Sequence, residues 1–134
     1  LRSSSAASDV YKRQLLDSTD STVRSNAVDS LNRFGHRRRD VGERIFSLLD
    51  DSDYWVRMSV ARFCLENHAT RSSLVAEQLL KDSMTPQSDG NQAYWILWEL
   101  ANGDFPEAKE RIDRESPELR DAISREVARL EESL

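Results

Sequence analysis

Few residues in this sequence could do chemistry, and their spacing excludes most reactions. The two histidines, His36 and His68, are followed by Arg37 and Ala69, so neither forms the His-Glu pair from which an iron site is built. The single cysteine, Cys64, can supply neither an internal disulfide nor a cysteine-based zinc site, and it reads as a buried small hydrophobe. The four glycines are scattered, and no phosphate-cradling loop or Ser-His-acid constellation is visible. Catalytic, metal and cofactor residues are therefore assigned as none. Recognition chemistry remains. "AYWILWEL" gathers Tyr94, Trp95 and Trp98, and Arg62 and Arg125 stand at matching places in neighbouring segments. Rigid rings bury much area and a guanidinium pairs in a fixed geometry, which is why both recur as interface anchors. Arg33, Arg37, Arg38 and Arg39 form a basic group that suits either a solvated turn beyond a helix C-terminus or an acidic or phosphate-bearing partner.

These side chains need a scaffold, and the totals limit which one. A chain of 134 residues is one domain's worth, and 38% hydrophobic against 32% charged residues suits a thin, elongated protein with much surface. The net charge of -5 makes a nucleic-acid partner unexpected. Residues 1–39 hold 8 Lys/Arg against 4 Asp/Glu, and residues 40–134 hold 11 against 20, so an anionic partner would favour the N-terminal end. No apolar run approaches the roughly 18 residues of a membrane span, and the N-terminus has no apolar signal core. The expectation is a cytoplasmic protein with no membrane partner.

Self-similarity supplies the scaffold. "LLDSTDSTVRSNAVDS" returns 33 residues later as "LLDDSDYWVRMSVARF". Leu15-Leu16, Leu48-Leu49, Leu79-Leu80 and Arg111-Ile112 mark the ends of four first helices, their second members 33, 31 and 32 residues apart. A second helix follows each, its apolar face beginning at Val23, Val56, Gln92 and Leu119. Taking those as position zero, positions +4, +5 and +8 read Ala27/Val28/Leu31, Val60/Ala61/Cys64, Ile96/Leu97/Leu100 and Ile123/Ser124/Val127, one stripe of an amphipathic helix. Asp20, Asp53, Asp89 and Ser116, three residues before position zero, are N-cap types, and Pro117 suits a first helical position. Asp89/Gln92, Asp40/Glu43 and Asp104/Glu107 have capping-box spacing, and Gly35 and Gly103 stand where second helices should stop. The chain reads as all-α, with about four helical hairpins over residues 14–35, 36–68, 69–103 and 104–134.

"DSTVRSNAV" and "DSDYWVRMSVA", each an Asp, then Val-Arg three residues on, then small apolar residues at helical spacing, resemble HEAT repeats of the short bacterial, phycobilisome-lyase HEAT-like type. The resemblance covers about residues 14–134, with "SPELRDAI" a fair match and the third repeat divergent, its Gln92-Ala93 replacing Val-Arg. It implies a right-handed α-α superhelix and an Asp/Arg ladder among Asp20, Arg24, Asp53, Arg57, Asp89 and Arg120, with a rung in doubt at Ala93. It also implies a non-catalytic scaffold whose second helices line a concave face for a protein or peptide. Alkylation-repair DNA glycosylases are similar helical-repeat proteins, and Trp95, Trp98 and Glu99 invite that comparison; bilin-lyase-like attachment is a further alternative. Residues 1–13 break the pattern. Lys12 stands where later repeats carry Ile45, Ala76 and Ala108, and "LRSSSAASDVYKRQ" resembles translated adapter or vector sequence, so that stretch is expected to be non-native or a frayed leader, with the natural protein beginning upstream.

At about 100° per residue the apolar stripe centres near 65°, and position +6 lies opposite, near 240°. Position +6 is Asp29, Arg62, Trp98 and Arg125. With the adjoining positions +2 and +3, the partner surface is expected to hold Trp98, Tyr94, Arg62 and Arg125, with Met58 as adaptable filler and Trp95 beside them.

Overall fold

The computed structural model describes residues 10–33, 39–85 and 91–133. Those residues are all-helical, with no strand among them. In chain order α1 covers residues 10–15, α2 Ser21–Arg33, α3 Arg39–Phe46 and α4 Tyr54–Asn67. A short 3-10 turn at Ala69–Arg71 leads into α5, Ser72–Met84, then α6 Gln92–Ala101, α7 Pro106–Glu115 and α8 Pro117–Ser133. The chain divides into two compact units, Leu1–Phe63 and Cys64–Leu134, and the division falls within α4.

The apolar stripe becomes the core. Ala27, Val28 and Leu31 of α2, and Val56, Val60, Ala61 and Cys64 of α4, are buried, Cys64 as a free thiol. Ile96, Leu97 and Leu100 of α6 and Ile123 and Val127 of α8 are buried too, whereas Ser124 is exposed. The anchors Leu16, Leu80 and Ile112 are buried with Ile45, Ala76 and Ala108 one turn before the second, third and fourth anchors; Lys12, in the corresponding place, is half-buried.

Helix ends depart from the expected bounds where local capping wins. α2 and α4 start one residue after Asp20 and Asp53, whose Oδ1 atoms accept the Thr22 and Val56 amides at 2.9 and 3.0 Å. Asp89 and Gly35 lie outside the described residues. The cap of α6 is Asn91, which accepts the Tyr94 amide at 3.1 Å while its own amide donates to the Ser83 carbonyl at 3.0 Å. Asp104 is not the cap of α7: that place is Phe105, with Pro106 first in the helix, where a missing N–H leaves less for a side chain to satisfy. Asp40 lies inside the first turn of α3. Helices α5 and α7 run past their anchors to Met84 and Glu115, and α3 stops at Phe46, short of Leu48.

Gly103 ends α6 as expected, and its backbone shows why. At φ +91° it lets the Asp104 amide reach the Glu99 carbonyl at 3.0 Å and its own amide reach Leu100 at 3.2 Å, the double bond of a Schellman cap. A Cβ there would meet no atom within 4 Å, so Gly103→Ala carries backbone strain alone. It should cost about 1–2 kcal/mol, read as a lower urea midpoint with unchanged slope.

Within each compact unit, like helices meet. In the first, Arg13 of α1 donates to Asp40 of α3 at 3.3 Å, and the hydroxyls of Ser25 in α2 and Ser59 in α4 lie 2.8 Å apart. In the second, α5 packs on α7 and α6 on α8, besides the hairpin contacts of α5 with α6 and α7 with α8, and α5 also meets α8.

Candidate functional site

The site is built on α6, the sequence "QAYWILWELA". Nearly every residue is apolar, so the helix is wetted only where its packing runs out. Ala93, Tyr94, Ile96, Leu97 and Leu100 are buried, leaving Trp95 47% exposed and Trp98 half-buried. Three residues apart, the two indoles share one face, with ring centroids 6.3 Å apart at 67°, an edge-on pair. Tyr94 adds a tilted contact to Trp95 at 5.0 Å.

Helix α8 holds this pair in place. The Trp98 indole N–H donates to the Glu131 carboxylate at 3.2 Å, fixing the ring plane. Burial, and then the nearby Glu131 charge, push the Tyr94 phenol above the usual tyrosine range, so it remains a neutral core ring.

Below the site a polar network locks the elements. Glu126 of α8, 2% exposed, accepts the Ser83 hydroxyl at 2.7 Å and the Nε–H and Nη2–H groups of Arg129, each at 2.8 Å. The Asn91 amide also reaches Ser83 Oγ at 3.3 Å, so the cap of α6 and the end of α5 hang on one carboxylate. Arg129 is the main reason that the Glu126 pKa falls below the ordinary glutamate range. Burial works against it, and Ser83 assists.

The expected partner residues separate on this structure. Trp95 and Trp98 are together and accessible. Arg125 is exposed on α8, and Arg62 is half-buried on α4. Tyr94 and Met58, each 4% exposed, are core residues, which corrects their expected place on the surface. Both occupy position +2, and the Ser25 to Ser59 contact shows the reason: +2 lies in the arc where one second helix meets the next, so the buried sector is wider than a single stripe. Met58 and Arg62 belong to the first compact unit, and Tyr94, Trp95, Trp98 and Arg125 to the second.

The Asp/Arg ladder needs correction at Arg24 and Arg120. Asp20 and Asp53 serve as caps, and the acid that takes Arg24 is Asp51, at 2.9 and 3.0 Å from Nη2 and Nε. Arg24 and Arg57 each donate to a carbonyl six residues back, Ser18 and Asp51, at 2.8 and 2.7 Å. Asp51 was legible: like Ser18 it stands two residues before a cap aspartate and accepts that residue's amide. Arg120 pairs with its neighbour Asp121 at 3.1 Å, and Asp89 lies outside the described residues. Of the basic group, Arg33 is exposed at the end of α2, Arg37 and Arg38 lie outside the described residues, and only the backbone of Arg39 is described.

Comparison with protein-family models, curated proteins and solved structures gives no match. The site therefore rests on its own geometry. Among the described residues no group of three His, Cys, Asp or Glu side chains could hold a metal ion, and no helix is long and apolar enough to cross a membrane. A cavity of about 130 Å³ opens between α6, α7 and α8 over Leu100, Ile112 and Ile123. Its rim carries Arg120 and the ion pair of Lys109 with Asp113 at 2.8 Å.

Proposed function

We propose that the chain is a HEAT-like helical-repeat module, part of an α-α superhelix, that binds a protein segment through its second helices and performs no catalysis. Support for the repeat reading comes from the packing of first helix on first and second on second within the compact unit Cys64–Leu134, the step by which such rows are built. The observation that carries the binding reading is the indole pair of α6. A folded chain that buries Tyr94, Ile96, Leu97 and Leu100 of α6 almost completely leaves Trp95 47% exposed, with the adjoining ring pinned by Glu131. Large rigid rings held at a surface are what protein interfaces use as anchors.

The test is a selection of peptides from a random display library on the immobilised protein, counter-selected on a Trp95→Ala, Trp98→Ala double variant of unchanged helix content. Peptides that bind the natural chain and lose at least tenfold on the double variant, about 1.4 kcal/mol, support the reading. Failure to enrich any such peptide would overturn it. So would binding of duplex DNA with a steep loss of affinity on raising salt, the mark of phosphate contacts.

A further inference from the structure

We infer that the Trp95/Trp98/Glu131 surface selects a basic segment, one that presents lysine or arginine to the indoles. This rests on the protein-binding reading and names the class of partner. Three observations converge. First, residues 64–134 hold 8 Lys/Arg against 15 Asp/Glu, a net charge of -7, so the compact unit that carries the indoles attracts cations.

Second, Glu131 is exposed and, among the described residues, has no ion-pair partner; its interactions are the Trp98 N–H and the field it exerts on Tyr94. Five acids of α7 and α8 are already engaged: Asp113 by Lys109, Glu110 by Arg114, Glu115 by Arg111, Asp121 by Arg120 and Glu126 by Arg129. Glu107, Glu118 and Glu132 are exposed like Glu131 but, among the described residues, have no hydrogen bond to the indoles. The carboxylate beside the rings is one that the fold leaves unneutralised.

Third, the two rings and the carboxylate are neighbours, joined through Trp98. An ammonium or guanidinium is drawn to an indole face within about 6 Å of the centroid, more so where a carboxylate stands alongside. The Trp98 N–H is turned in toward Glu131, and Trp95 offers its exposed surface next to it. Among the described residues, the arginines of α8 nearest in sequence do not pair with Glu131. Arg125 lies six residues before Glu131, about 120° around α8, and Arg129, about 160° around, is tied to Glu126.

Fluorescence polarisation with three labelled peptides of one length tests this: one selected from the library, and versions of it carrying Lys or Gln at every non-anchoring position. The Lys version should bind about tenfold more tightly than the Gln version, from the sum of a cation–indole contact and an exposed ion pair. Glu131→Gln keeps an acceptor for Trp98 and should weaken the Lys version about threefold to fivefold with the Gln version unchanged. Raising salt should erase that difference. Equal affinity for the Lys and Gln versions, or Lys binding indifferent to Glu131→Gln, overturns the preference for cations with the protein-binding reading intact. That reading fails separately, if Trp95→Ala has no effect on any of the three.

Discussion

Glu126→Ala should be among the most destabilising single changes in the C-terminal compact unit, lowering its unfolding free energy by about 2–3 kcal/mol, the worth of hydrogen bonds to a buried charged group. The carboxylate accepts from Ser83 and twice from Arg129, and its loss takes the acceptor from the hydrogen of a Ser83 hydroxyl that is only 5% exposed. Arg129, 57% exposed, can turn to water, so the cost stays below that of a fully buried pair left half-broken. For a unit of this size the midpoint should fall by roughly 10 °C or more. Glu126→Gln keeps an acceptor for Ser83 and should fall between the variant and the natural chain. Because the folded-state pKa lies below the ordinary glutamate range, this stabilisation is complete above that range and is lost as pH falls through the lower folded value. The Glu126→Gln variant should therefore lose less stability than the natural chain on acidification. Hydrogen exchange should show the damage at the amides of residues 94–98, since Ser83 positions the Asn91 cap of α6. An unchanged midpoint in Glu126→Ala would remove the network as a support of the site.

Position +7 explains why that network was not foreseen although its signal was present. The four residues there are Ser30, Phe63, Glu99 and Glu126, and Phe63 is fully buried. At about 340° the position borders position zero, inside the apolar arc, so a glutamate there must be paired or pull out of the core. Elsewhere the period sufficed. The stripes of α2 and α4 and the caps Asp20 and Asp53 were readable because a 3.6-residue repeat and an oxygen at the helix start leave one register. The start of α6 was not, because Asp89 and Asn91 are both cap types and the choice falls to a distant carbonyl, that of Ser83. Tyr94 and Met58 were misplaced because a helix packed on two flanks buries an arc that its own hydrophobic phase understates. Trp95 and Trp98 were legible as a pair, but Glu131, 33 residues beyond Trp98, could be joined to them only by folding.

The rung at Asp51 offers the other large effect. Its carboxylate takes both Nε and Nη2 of Arg24, 27 residues earlier, and the amide of Asp53. Burial works to raise its pKa, yet the Arg24 hydrogen bond, the Asp53 amide and the charges of Arg24 and Arg57 outweigh it and hold the carboxyl below the ordinary aspartate range. Asp51→Ala should cost about 2 kcal/mol, since charge-assisted bidentate bonds are the strong ones and the Arg24 side chain, 15% exposed, would keep, among the described residues, only its bond to the Ser18 carbonyl. The depressed pKa makes this contribution complete above the ordinary aspartate range and lost as pH falls through the folded value, so the gap between variant and natural chain should close in acid. Asp53→Ala removes a helix cap instead and should cost about 1 kcal/mol, while Asp50→Ala, at an exposed neighbour, should cost little. Urea unfolding followed through Trp55, the one tryptophan of Leu1–Phe63, separates these cases. A double-mutant cycle of Asp51→Ala with Arg24→Ala then decides whether the bond joins successive hairpins: a coupling near zero would reduce Asp51 to a local turn residue, and a clear coupling would make it the tie between the α2 hairpin and the turn that starts α4.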